Sequence, residues 1–298
     1  MHASVPAYNA PDLNLGTSMA LRDCMTNGSN NSDAPEIMIT DDTHVRTIQL
    51  NRPHKKNALS NTLAWDIVRA IDAATADDDV WVIAITGIDD CFCSGVDLSP
   101  GGNAPDRGPM SEIQSQIDDL SWVGEFPLAI RQRCDKPVVA GLNGVAAGAG
   151  LALAMVCDMR IAAESAWVFP GYSRIGGSPD GGLSWTLPQI LGYEKAMRFL
   201  LENKRIDAND ALSLGLIGEV VPDDQFQARF KEYCHSLTTI SPIAARLTKR
   251  VVREATKIDI EAQVRYELQT IGTAFASEDG QESRKAFLER RMPEIKGR

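Results

Sequence analysis

The stretch Asn143-Gly144-Val145-Ala146-Ala147-Gly148-Ala149-Gly150 lies between an apolar segment at 136–142 and a helical pattern at 151–156, and it constrains the fold more than any other part of the chain. Residues this small do not fill a core. They let another group approach the main chain where a helix begins, and there the unpaired amide N–H groups attract negative charge. A developing oxyanion is the guest that such a turn suits.

On either side of the turn the pattern is regular: the segment before it reads as a strand (137–142), and the helix after it is followed by another strand at 158–162. Upstream, the β-rich runs 37–40 and 45–50 flank the polar cluster Asp41-Asp42-Thr43-His44, the pattern of a hairpin. A helix capped by Ser60 or Asn61 follows, with Leu63, Ile67, Val68, Ile71 and Ala74 at helical spacing up to Asp77-Asp78-Asp79, and then a buried strand at 80–86. A Gly/Pro-rich loop covers 100–109, and a helix is expected between 111 and 133. Strands alternating with helices predict an α/β fold with a mostly parallel sheet, whose ligands meet the loops at strand ends.

Beyond residue 180 helical patterns dominate, at 208–214, 223–238, 243–255 and 260–276, and Gly215, Gly218 and Pro222 interrupt them. The expected organisation is a disordered extension at 1–35, a core at 36–215 and a helical C-terminal region at 216–298. The extension is rich in Asn, Ser, Asp, Ala and Pro and lacks the basic start and apolar run of a signal peptide. The C-terminal helices cannot bury every apolar face on a small domain, which suggests self-association.

The formal charge of −10 excludes general affinity for nucleic acid or for an anionic membrane, because both require a basic face. No run is apolar and long enough to span a bilayer. The six cysteines, at 24, 91, 93, 134, 157 and 234, follow no metal-ligand or disulfide spacing, so no metal site is expected and a reducing cytoplasm is the expected location.

A second close-approach turn, Cys91-Phe92-Cys93-Ser94-Gly95-Val96-Asp97-Leu98, follows the 80–86 strand. Two amide donors from separate loops, converging on one oxygen, are what an acyl-transfer or enolate-forming enzyme needs. With both turns in view, the chain resembles the crotonase (enoyl-CoA hydratase/isomerase) superfamily over residues 36–298. Asn51-Arg52-Pro53-His54-Lys55-Lys56-Asn57-Ala58-Leu59 is similar to that family's N-R-P-x-x-x-N-A-L, and residues 92–98 to its F-x-x-G-x-D-[LI]. Residues 136–158 are similar to the run from K-P through the glycine turn to C-D. The resemblance implies a crotonase-like ββα spiral with a helical C-terminal region for oligomerisation and pocket closure. It also implies a homotrimer or dimer of trimers, and an acyl-CoA substrate with coenzyme A carried on the substrate rather than bound as a separate cofactor.

By the same resemblance, the backbone N–H groups of Val96 and Ala149 form the oxyanion hole. Lys55, Lys56, Ala58, Ser94, Asp97 and Leu98 would lie along the CoA channel, and Phe287 and Arg290 would touch the nucleotide end. In an acidic protein the phosphates of CoA must be met locally, and the Lys55-Lys56 pair is the candidate.

The family's hydratases carry two catalytic glutamates, and the corresponding positions here are Ala152 and Tyr172. Alanine does not titrate, and a tyrosine with an ordinary pKa near 10 is a poor base at neutral pH. Asp180, in Gly177-Ser178-Pro179-Asp180-Gly181-Gly182, stands where several family isomerases resemble one another in an acid/base residue and where aryl-CoA dehalogenases carry a nucleophile. An aspartate ahead of a helix can equally be an N-cap. Trp167, Phe169, Tyr172 and Trp185 are candidates for an apolar wall around Asp180, with the Tyr172 hydroxyl as hydrogen-bond donor or general acid.

The dehalogenase route also needs a histidine in the loop after the first oxyanion segment, and residues 99–135 contain none; His2, His44, His54 and His235 lie elsewhere. The leading expectation is therefore double-bond isomerisation through an enolate with Asp180 as acid/base. Its alternatives are hydrolysis, C–C cleavage (a lyase reaction) or hydration of an unusual, cyclic or aromatic acyl-CoA, and a non-catalytic acyl-CoA-binding protein. The sequence does not identify the acyl group.

Overall fold

Strands β1 (Ile37–Asp42) and β2 (Val45–Leu50) pair antiparallel, with Ile37 opposite Leu50 and Asp42 opposite Val45, so Thr43 and His44 make the two-residue turn. Thr43 adopts φ +56°, as the tight hairpin requires. The structure is a computed structural model that describes residues 34–99, 108, 110–117 and 120–298. The expected disorder of the N-terminal extension therefore lies outside the described residues for positions 1–33, as does most of the 100–109 loop.

From β2 the sheet continues in parallel through β3 (Val82–Gly87), β5 (Val138–Leu142), β7 (Met159–Ala163) and β10 (Glu219–Val221), in the order β1-β2-β3-β5-β7-β10. Strands β3 and β5 are buried along their whole length, which explains their unbroken apolar sequences. A second sheet, order β4-β6-β8-β9, is made of β4 (Cys91–Cys93), β6 (Val145–Ala147), β8 (Trp167–Phe169) and β9 (Ile206–Asp207). Each winding of the chain adds one strand to each sheet: β3 then β4, β5 then β6, β7 then β8. This is the ββα spiral.

Helix α1 (Asn61–Ala76) starts where Ser60 Oγ accepts from Leu63 N at 3.0 Å, and it buries Leu63, Ile67, Val68, Ile71 and Ala74. At its other end Lys136 Nζ donates to the carbonyls of Ala74 and Asp77. Burial lowers the pKa of this lysine, whose role is to close a helix terminus rather than to meet solvent or ligand. The single helix expected between 111 and 133 is broken into α2 (Glu112–Ile117), α3 (Ser121–Leu128) and a wide π-type turn, Ala129–Arg133. Pro127 sits inside α3 and supplies no N–H, so the regular ladder gives way there.

After β6 come α4 (Ala149–Val156), then β7, β8, α5 (Leu183–Leu191), α6 (Tyr193–Glu202), β9 and α7 (Ala208–Ser213). The core does not end at the expected boundary of 215. Strand β10 completes the main sheet, and helix α8 (Phe226–Leu237) packs its Phe230 ring on β5, where Gly141 leaves room that a Cβ would close to 2.8 Å. The helical region proper is α9 (Pro242–Glu254), α10 (Ile260–Ala276) and α11 (Glu278–Glu289).

Charge, more than apolar burial, docks α9. Arg246 and Arg250 both hold Asp135, Lys249 holds Asp158 at 2.7 Å, and Arg253 donates to the carbonyls of Arg131 and Gln132. Burial alone would raise the Asp135 carboxyl, but the guanidiniums of Arg250 and Arg246 outweigh it and hold that group below its usual range. Helix α10 meanwhile leaves Val264, Leu268, Ile271 and Phe275 exposed. No helix among the described residues is long and apolar enough to cross a membrane.

Candidate active site

The first donor loop leaves β4 through Ser94 and Gly95, the latter at φ +106°, a backbone conformation that side chains disfavour. Leu59 N donates to Gly95 O at 2.7 Å and Asp97 N to Leu59 O at 2.9 Å, a one-pair parallel bridge in which Val96 N–H takes no part. Among the described residues that N–H has no partner. The second loop turns at Gly148, φ +52°, and Ala152 N donates to Gly148 O at 3.0 Å to close the first turn of α4. Ala149 N–H is thus an orphan donor at a helix start, again without a partner among the described residues.

The two bends touch. A Cβ on Gly95 would stand 3.8 Å from Ala149 N and 3.0 Å from Ala147 O, and one on Gly148 would stand 3.9 Å from Gly95 Cα. Glycine at 95 is what lets the two bends approach this closely, because a side chain there would crowd Ala147 O. Two buried asparagines brace them: Asn57 Nδ2 and Asn143 Nδ2 both donate to Cys91 O, at 2.7 and 3.2 Å. Behind Val96, Asp97 pairs with Arg52 at 3.0 Å and accepts from Ser99. Burial alone would raise the Asp97 carboxyl, but the Ser99 and Arg52 contacts outweigh it and hold the pKa low. Asp97 therefore faces the scaffold and fixes the loop that carries the Val96 donor.

Asp180 meets a buried tyrosine. Tyr172 opens a short 3-10 turn (Tyr172–Ile175), is buried, and donates its hydroxyl to Asp180 Oδ1 at 2.6 Å. Burial, then the Asp180 carboxylate, push the phenol well above its ordinary range, so Tyr172 stays a neutral donor throughout physiological pH. Asp180 is half-buried, and its carboxylate does not cap α5, whose N-cap is Gly182 without a side-chain hydrogen bond. The next residue, Gly181 at φ +58°, lies against the ring of Phe126 and the methyl of Ala152, which a Cβ on Gly181 would meet at 2.7 and 2.9 Å. Ala152 is three residues along α4 from Ala149, about 4.5 Å of axial rise. The Tyr172–Asp180 pair thus stands beside the helix that begins with the unpartnered Ala149 N–H.

Of the four aromatics expected at the pocket wall, only Tyr172 bonds to Asp180. Trp167 lies under Arg205 and Phe169 under Arg174, at 4.7 and 5.2 Å to the ring centroids. Trp185 is 45% exposed with Arg131 over its ring, and it lines a cavity of about 440 Å³ with Asp158, Lys249 and Val252. That cavity lies at the C-terminal end of α4, opposite the two donors. Phe126, which sequence reasoning missed, is the aromatic at the Gly181–Ala152 contact; its spacing from Trp122 on α3, with ring centroids 6.3 Å apart, was the available signal.

On the donor-loop side, Lys55 is exposed with no ammonium partner among the described residues, and Lys56 is held by Asp90 at 2.7 Å. Ser94 lies on both, with Oγ donating to Lys55 O and N to Lys56 O. Ala58 is buried and Leu98 is 65% exposed. Phe287, on α11, and Arg290, at its C-cap, are exposed, and α11 packs on α10. His44 stacks on Trp81 and His235 pairs with Asp42, so neither joins the site. The five described cysteines are free and buried, and burial lifts the Cys93 thiol to about 12.

Residues 40–298 match the family model described as Enoyl-CoA hydratase/isomerase. The chain is 32% identical over 243 residues to 4-chlorobenzoyl coenzyme A dehalogenase-1 of Arthrobacter sp, covering 82% of this chain and 86% of that protein. It is 31% identical to the 1,2-epoxyphenylacetyl-CoA isomerase of Escherichia coli (strain K12), covering 85% of this chain and 95% of the relative. Among solved structures, the enoyl-CoA hydratase from Bacillus anthracis superposes with a TM-score of 0.77 at 29% identity, covering 88% of this chain and all of that one.

Proposed function

Because the chain belongs to the enoyl-CoA hydratase/isomerase family, we propose that it shifts a double bond in an acyl-CoA by moving a proton through an enolate, with Asp180 as acid/base. The thioester oxygen accepts from Val96 N–H and Ala149 N–H. As the enolate forms, charge grows on that oxygen, and each preorganised donor stabilises the transition state by about 3–4 kcal/mol. The Asp180 carboxylate takes the proton from carbon adjacent to or conjugated with the thioester and returns it at the other end of the allylic system. Tyr172, neutral and 2.6 Å from Oδ1, orients the carboxylate and leaves Oδ2 for the substrate.

The single observation that carries this reading is the Tyr172–Asp180 bond set against Ala152. One carboxylate is in place, and the position that resembles a hydratase's first glutamate holds a methyl group. Addition of water through two carboxylates has no support in such a site.

A covalent route, in which Asp180 attacks a halogen-bearing aryl carbon and the halide leaves with the carbon–halogen bonding pair, draws support from the dehalogenase relative. Hydrolysis of the resulting aspartyl ester needs a base to activate water. Residues 99–135 contain no histidine, which favours the isomerase reading.

Lys55 suits the phosphates of CoA, while Phe287 and Arg290 suit its nucleotide end by stacking and charge. The exposed Val264, Leu268, Ile271 and Phe275 of α10 support assembly into trimers or dimers of trimers, and the free buried thiols support a reducing, cytoplasmic location. The test is a panel of CoA thioesters in deuterated, ¹⁸O-labelled water. Deuterium entering the α- or γ-carbon without ¹⁸O supports isomerisation. Incorporation of ¹⁸O into the product overturns it in favour of hydrolysis or hydration.

A further inference from the structure

Asp279, on the first turn of α11, is a fully buried carboxylate that faces main chain alone. Its Oδ1 accepts from Lys296 N at 2.7 Å, and its Oδ2 accepts from Gly297 N at 2.8 Å and Arg298 N at 3.1 Å. Asp279 N returns a bond to Arg298 O at 2.8 Å. The segment 291–298 therefore runs back along α11 and is tied at the helix start. Near its middle Glu282 holds Arg291 and accepts from Glu294 N, which keeps that carboxyl down at about 2.

Gly297, at φ +79°, lays this strap on the Trp81 ring, where a Cβ would stand 3.0 Å away, and Ile295 packs on the core. Helix α11 is thus anchored at the end remote from its exposed tip. That tip carries Phe287 and Leu288, each 81% exposed, together with Arg290 in the left-handed conformation, φ +53°. Among the described residues the Arg290 guanidinium has no partner. An exposed aromatic residue on the last turn of a clamped helix, with an unpartnered arginine at its C-cap three residues on, offers stacking and positive charge to an aromatic base carrying phosphates.

We infer that Asp279 is a positioning residue for CoA binding: by clamping the 296–298 main chain it sets the Phe287–Arg290 tip that meets the nucleotide end of CoA. The inference rests on the proposed function, in which Phe287 and Arg290 face that end. Asp279 itself touches no ligand.

The experiment measures calorimetric Kd values for crotonyl-CoA and for crotonyl-pantetheine, which lacks the nucleotide, on Asp279→Ala, Gly297→Ala and Arg290→Ala. Gly297→Ala attacks the strap from its other contact and serves where Asp279→Ala does not fold. Each strap variant is expected to bind crotonyl-CoA about tenfold more weakly, the equivalent of ~1.4 kcal/mol, with crotonyl-pantetheine unchanged. Equal weakening of both ligands, or no weakening of either, overturns the inference, because a merely structural clamp does not discriminate by nucleotide. If Arg290→Ala weakens crotonyl-CoA and the strap variants do not, the positioning claim alone fails. If Arg290→Ala changes neither ligand, the reading of the tip fails and the claim falls with it.

Discussion

Gly95→Ala puts one methyl group between the two donor loops. The new Cβ would stand 3.0 Å from Ala147 O and 3.8 Å from Ala149 N, closer to the carbonyl than side-chain carbons ordinarily sit. The loops must therefore separate by a few tenths of an ångström, and the residue must hold φ +106° with a side chain. Such a backbone conformation costs roughly 1–3 kcal/mol of stability. The larger effect falls on the chemistry. The methyl occupies space beside Ala149 N–H and tilts Val96 N–H, and losing one such donor is worth about 10²–10³ in rate. With both disturbed, exchange of the proton next to the thioester, followed by NMR in deuterated water, should fall roughly 10²–10⁴-fold. Thermal melting with and without CoA monitors folding of the variant. A folded Gly95→Ala protein exchanging within threefold of the wild-type rate would refute the claim that these bends frame the reacting oxygen.

Other perturbations probe separate parts. Asp180→Asn keeps an acceptor for the Tyr172 hydroxyl, so the fold and thioester binding should persist while exchange drops about 10²–10⁴-fold; an exchange rate within tenfold of wild type removes Asp180 from the mechanism. Asp135→Ala leaves Arg246 and Arg250 without their buried partner. Breaking a buried pair costs about 3–5 kcal/mol, but these guanidiniums are 34% and 44% exposed and regain water, so a loss of about 1–3 kcal/mol is expected in urea unfolding. Because the folded Asp135 carboxyl is held below its unfolded value of about 3.9, its contribution is present above that pH and disappears as pH falls through the lowered folded value. Wild type and Asp135→Ala should therefore converge in stability at acid pH. A constant difference down to about pH 2 would contradict the ion-pair account.

The sequence announced what local rules govern. The β1–β2 hairpin, the Ser60 cap, α4 and both glycine bends were legible because turn residues, caps and periodicity act over a few positions. The strands of the second sheet were not, since β4, β6 and β8 span only three residues each and β9 two, too short for any period. Strand β10 was hidden for the same reason, which placed the expected boundary too early. Docking of α9 rests on pairs far apart in sequence, such as Asp135 with Arg246, 111 residues on, and no local pattern encodes their partnership. At the site, Asp180 and Tyr172 were singled out in the sequence, but the hydrogen bond between them, the packing of Gly181 on Phe126 and Ala152, and the outward position of Trp185 follow from the tertiary fold.

The most direct measurement is a crystal structure of the protein with a bound CoA thioester. The thioester oxygen should lie about 2.7–3.1 Å from both the Val96 and Ala149 nitrogens, with an Asp180 carboxylate oxygen facing the carbon that loses its proton. An oxygen out of reach of either nitrogen, or an acyl group seated instead in the cavity beside Trp185, would contradict the account.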